Sequence, residues 1–230
     1  MPSLTIKIGV FGQTLTKLTL EISNAGYADR LLTDRQLARI VGGGPQRRYG
    51  LVNRALKANE LIRLQRGLYL LEGRYRSHAC HPFHLAQGLV PGSYVSFETA
   101  LAFHGWIPEA VYVTASVVPG RKSRDYEHEQ MGKFTFHPLS MNKRHFLELV
   151  ERVQINRQTM LVAKPVRALM DLVCLMKMDW KGIDWIEQGL RIDRENLRSV
   201  TGAELNTLTR VYKQKKVQKF LTELALALGL

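Results

Sequence analysis

Near its amino end the chain reads Gly42-Gly43-Gly44-Pro45, and this break constrains the local fold more than any other feature. Three glycines stop a helix and supply positive φ, while Pro45, with φ preset and no amide hydrogen, suits the first position of a new helix. A helix is therefore predicted on each side. Upstream, Thr33 and Gln36 make a T-x-x-Q capping box before the apolar stripe Leu37, Ile40, Val41. Downstream, a wheel at about 100° per residue puts Pro45, Tyr49, Val52 and Leu56 on one face and Gln46, Arg47, Gly50, Arg54 and Lys57 on the other. The first face is expected to pack and the second to stay outside.

A capped short helix, a Gly turn and a basic second helix follow the plan of a helix-turn-helix. Leu61–Leu64 and Leu68–Leu71 then flank Gln65-Arg66-Gly67 and read as a hairpin, with Gly67 at the positive-φ position. A hairpin directly after the basic helix predicts a wing. Charge agrees: 33 Lys and Arg oppose 20 Asp and Glu, a net +13, and residues 1–75 hold 12 of the former but only 5 of the latter. More than half the excess thus lies in a third of the length, and the expected partner is double-stranded DNA. Gln46, Arg47, Asn53 and Arg54 are candidate base contacts, Arg for guanine and Asn or Gln for adenine. Arg48, Lys57, Arg63 and Arg66 are candidate phosphate contacts. As a phosphate cradle the glycine run fails, because no Gly-Lys-Ser/Thr follows and Pro45 removes an amide donor.

With 45% hydrophobic and 23% charged residues and 8 Pro, the composition excludes a disordered chain or a coiled-coil rod. The polar run Glu72–His81 sets the expected boundary, giving domains 1–77 and 78–230. Ahead of the capping box, Ile6, Ile8 and Val10 have strand spacing, and Leu15, Leu18 and Ile22 have helical spacing. In the second domain Tyr94–Ser96 reads as a strand entering a helix capped by Ser96 and ended by Gly105. Val111–Thr114 and Lys133–Phe136 are expected to pair across a charged loop from Gly120 to Gly132. Pro165 opens a helix, and Thr201 with Glu204 caps another before a stripe running from Leu205 to Leu228. The fold class expected is α+β, a winged helix-turn-helix followed by a larger mixed, mostly helical domain.

No set of residues has catalytic form. Gly92-Ser93 is followed only by Glu98, without the paired carboxylates of two-metal phosphoryl transfer. Asp125, Glu127, His128 and Glu129, flanked by Arg121, Lys122 and Arg124, read as a self-neutralising loop, and His81 and His84 bracket Pro82 with no third metal ligand nearby. Neither an enzyme nor a cofactor nor a metal is expected. The uncharged run Ala79–Phe97 carries His and Pro, so no membrane span is expected; no signal peptide is legible, Cys80 and Cys174 read as reduced thiols, and a cytoplasmic protein follows. Lys213, Lys215, Lys216 and Lys219 form a second cationic stretch, a candidate anion or partner surface set against a solvated helix face.

Three segments together carry a family resemblance: Glu60–Tyr69 in the hairpin, Gly92–Gly105, and Ala163-Lys164-Pro165-Val166-Arg167-Ala168-Leu169-Met170-Asp171. They resemble the AbiEi antitoxins of type IV toxin-antitoxin systems over about Leu32 to Leu224, departing at Val166, where that family usually has an acidic residue. The resemblance implies an autorepressor that binds inverted repeats upstream of its operon. It also implies an antitoxin that counters a nucleotidyltransferase toxin without a stable complex. The alternative is a stand-alone winged-helix regulator with no toxin partner.

Overall fold

The computed structural model describes residues 15–230, and the chain divides into two compact units, one ending at Cys80 and the other beginning at His81. The strand-spaced Ile6, Ile8 and Val10 lie outside the described residues.

In the first unit the elements are α1 (Lys17–Asn24), β1 (Leu32–Thr33), α2 (Asp34–Val41), α3 (Pro45–Lys57), β2 (Leu61–Gln65) and β3 (Leu68–Leu71). The capping box of α2 is complete: the Thr33 hydroxyl accepts from the Gln36 amide, and the Gln36 side chain accepts from the Thr33 amide. Gly42 and Gly43 then take φ of 57° and 72°, and Gly44 caps α3 with Pro45 in its first turn. The strands form an antiparallel sheet ordered β1-β3-β2, with Gly67 at φ 77° in the hairpin turn and a register shift between Arg63 and Gln65. Leu18, Ile22, Leu32, Leu37, Leu51, Val52, Ala55 and Tyr69 make one core beneath the three helices and the sheet. A buried carboxylate holds α1 in place. Glu60 accepts from the Thr16 amide and hydroxyl and from the Thr19 hydroxyl at 2.5–3.1 Å.

The second unit contains α4 (Pro82–Leu89), β4 (Tyr94–Val95), α5 (Phe97–Phe103), β5 (Val113–Val118), β6 (Arg124–His128), β7 (Gly132–Pro138), β8 (Val150–Ile155) and β9 (Gln158–Ala163). The helices α6 (Pro165–Met176), α7 (Ile183–Gly189), α8 (Arg194–Arg198), α9 (Gly202–Thr209) and α10 (Lys215–Leu228) complete it. Its sheet is mixed, ordered β6-β7-β5-β4-β9-β8. The expectation of a mostly helical domain is corrected, because six strands run through it and only the stretch from Pro165 onward is wholly helical. The α+β class stands.

Four local readings change as well. The Lys133–Phe136 segment does pair with β5, but in parallel, and the supposed charged loop between them contains β6, antiparallel to β7 at the sheet edge. A strand with one open side can be charged along most of its length, which hid it. The β8–β9 hairpin was unread because its turn, Asn156-Arg157, has two positive-φ residues and no glycine. The stripe after Thr201 is split, with α9 and α10 separated by Arg210–Gln214 around the buried Tyr212. Ser96 precedes α5 as expected, yet its hydroxyl makes no cap; it donates to Asp171.

Among the described residues no helix is long and apolar enough to cross a membrane. Both cysteines are free thiols, Cys174 buried and Cys80 half-buried, each pushed up to about 11 by burial.

Candidate nucleic-acid interface

The packing face of α3 is Leu51, Val52 and Ala55, all buried against α1, α2 and β2. This corrects the wheel: Pro45 and Tyr49 are exposed, Leu56 is only half-buried, and Arg48 turns to the half-buried flank. The reason is Ala55. It is fully buried, with Leu51 and Val52 buried beside it, so the buried face of the helix is centred on Ala55 and away from Tyr49. Outward lie Gln46, Arg47, Tyr49, Arg54 and Lys57, with Gly50 and Asn53 half-exposed among them.

Arg63 and Arg66 are exposed on the hairpin, Arg66 in its turn. The turn is fixed to α2 because the Asp34 amide donates to the Gly67 carbonyl at 3.1 Å, and Thr33 pairs in register with Leu68. Arg63 also stacks its guanidinium 6.0 Å from the Tyr69 ring centroid. Arg35 and Arg39, missed in the sequence, are exposed on α2 opposite Leu37 and Val41. Their i,i+4 spacing on a helix with that apolar stripe was the available signal.

What isolates these cations is the commitment of four of the unit's five acids, Asp34 alone being exposed at the start of α2. Glu60 is buried on Thr16 and Thr19, Asp29 accepts from the Ser77 and His78 amides, Glu72 accepts from the Arg74 amide, and Glu21 pairs with Lys17 at 3.8 Å. Asp29 is accordingly held below its usual range: burial opposes this, and the Ser77 and His78 amides with the His78 charge overcome it. Among the described residues none of Arg35, Arg39, Arg47, Arg48, Arg54, Lys57, Arg63 and Arg66 has an ion pair. Unpaired guanidinium and ammonium groups on a helix and an adjoining hairpin give a concentrated positive potential suited to a phosphate backbone.

The second cationic stretch differs. Lys213, Lys215, Lys216 and Lys219 are exposed, but Lys216 Nζ lies 2.9 Å from Asp179 and 3.4 Å from the Lys177 carbonyl. Lys215, Lys216 and Lys219 sit at the amino end of α10, where the helix dipole disfavours positive charge.

Further polar clusters lie in the second unit. Arg167 and Asp171, both fully buried, pair at 3.0 Å, and Asp171 also accepts from Tyr94, Ser96 and Tyr212 at 2.7–2.9 Å. Arg167 donates onward to the carbonyls of Glu148 and Phe146. Burial alone opposes the Arg167 charge, but Asp171 and the two tyrosines raise its pKa; burial and Asp171 push Tyr94 and Tyr212 well above the ordinary phenol range. His81 caps α4 through Nδ1, which accepts from the Phe83 amide. Asp125, Glu127 and His128 lie on the β6 edge, and no group of three metal-ligating side chains occurs among the described residues.

No protein-family model and no curated protein matches the sequence.

Proposed function

We propose that the chain is a sequence-specific double-stranded-DNA-binding transcriptional repressor, with its first unit a winged helix-turn-helix. The observation that carries this reading is the row of unpaired cations on α3 and the β2–β3 hairpin, in a unit where four of the five acids are engaged elsewhere. The element order supports it: a capped helix, a positive-φ glycine turn, a basic helix, then a hairpin with a third strand against it. In this reading α3 lies in the major groove. Gln46, Arg47, Asn53 and Arg54 reach base edges, while Lys57, Arg63 and Arg66 hold phosphates. Arg48, on the half-buried flank, contributes from the rim of the contact.

The resemblance to AbiEi antitoxins extends the proposal to an autorepressor on inverted repeats and to an antitoxin opposing a nucleotidyltransferase toxin. The second unit, with its lysines at the start of α10, would carry the opposing role. An Arg47→Glu, Arg54→Glu variant tests the first claim: at about 100 mM salt it should fail to shift the DNA upstream of the gene that the wild type shifts. Undiminished binding would reject α3 as the reading helix. Removing the first unit tests the extension. Loss of repression with rescue from the neighbouring toxin retained supports divisible roles, and loss of both denies the second unit an independent one.

A further inference from the structure

The outward face of α3 carries two residues, Tyr49 and Gly50, that neither charge nor folding explains. Tyr49 is 66% exposed in the middle of the helix, and among the described residues its ring makes no aromatic or cation–π contact. Leaving that much aromatic surface in water sacrifices the burial that aromatic side chains usually gain. One turn before it stands Gln46 and one turn after it Asn53, the two amides suited to adenine. Directly beside it is Gly50, inside a helix, where glycine weakens the helix relative to alanine. Its backbone does not require glycine, since φ is not positive, and a Cβ there would meet only Arg54 Nη1 at an ordinary 3.7 Å. The fold therefore gives no reason for either residue.

We propose that Tyr49 is a specificity-determining residue whose ring packs on the C5-methyl group of a thymine in the major groove, and that Gly50 provides the clearance for α3 to approach the bases. The thymine methyl is the apolar feature of that groove, and it separates A·T from every other pair at its position. An aromatic ring flanked by two adenine-reading amides suits an A/T-containing step. The inference rests on the DNA-binding reading above and deepens it by naming which base edge the helix reads.

The test uses the full chain and duplexes that the wild type enriches from a random-sequence pool. Each thymine of the enriched site is replaced in turn by uracil, which removes only the methyl. The wild type should lose about tenfold in affinity at one such position, the scale of a single good base contact. Tyr49→Ala should bind the thymine and uracil duplexes equally, both at the weaker level, with its melting temperature and the slope of its salt dependence unchanged. Tyr49→Phe should keep the methyl sensitivity. Gly50→Ala should melt at a higher temperature yet bind the enriched site more weakly. Wild type indifferent to every uracil substitution, or Tyr49→Ala retaining the full sensitivity, would overturn the assignment of Tyr49. Undiminished binding by Gly50→Ala would overturn the clearance. Enrichment of no duplex at all would overturn the DNA-binding reading and this inference with it, an outcome distinct from the others.

Discussion

Arg167 and Asp171 show how little a pair of residues reveals by its spacing. An i,i+4 Arg and Asp on a helix ordinarily reads as a surface ion pair, yet here both are fully buried, and Asp171 accepts from three further donors, Tyr94 in β4, Ser96 just after it and Tyr212 in the segment before α10. Desolvation makes such a pair sensitive to losing one member and tolerant of losing both. Arg167→Met should lower the urea-denaturation stability by about 3–5 kcal/mol, whereas adding Asp171→Asn, which removes the charge but keeps an acceptor for the three hydroxyls, should recover part of that loss. Equal losses for the single and double variants would show that Arg167 is not neutralising a buried carboxylate. His81 offers a pH test. Burial and the neighbouring His84 hold its pKa below the ordinary imidazole value, and its Nδ1 accepts from the Phe83 amide at the start of α4. The folded state thus binds fewer protons than the unfolded chain, so this contribution is complete above about pH 6.5 and is lost as the pH falls through the lower folded value. His81→Asn, which caps without titrating, should flatten the acid limb of the stability curve measured by thermal melting at successive pH values. An unchanged acid limb would remove His81 from the account.

Among the elements, those punctuated by side-chain chemistry were legible and those defined by pairing were not. The capping boxes at Thr33 and Thr201, Pro45 and Pro165 at helix starts, and Gly67 in a hairpin turn each act within a few residues, and each stands where the sequence predicts it. β6 and the β8–β9 hairpin depend on neighbours far along the chain, and their own residues are too polar, or their turn too unusual, to announce a strand. On α3 the helix itself was legible and its rotation was not, because a small residue, Ala55, marks the buried centre that Tyr49 was expected to share. The hairpin gives a prediction at this scale. A Cβ on Gly67 would combine a φ of 77° with a 3.0 Å approach to Asp34 Oδ2. Gly67→Ala should cost about 1–2 kcal/mol in urea denaturation, and Gly67→Asn less, since Asn adopts that conformation more readily. Equal costs for the two variants would mean that crowding by Asp34, not backbone strain, governs the turn.

Across the whole molecule, the excess of positive charge in the first 75 residues was countable in advance, but its availability was not. That depended on where four of the five acids went: Glu60 into the core, Asp29 and Glu72 onto backbone amides, and Glu21 to Lys17. The cations left on α3 and the hairpin are the basis of the proposed DNA contact, and such contacts leave a mark in salt that base contacts do not. Each phosphate neutralised adds about 0.9 to the magnitude of the slope of log K against log salt concentration. The decisive measurement is that slope for the full chain on duplex DNA, compared with a Lys57→Ala, Arg63→Ala, Arg66→Ala variant. Flattening by about 3 per bound copy, with preference among sequences retained, is the predicted result; an identical slope would contradict the contact that the account rests on.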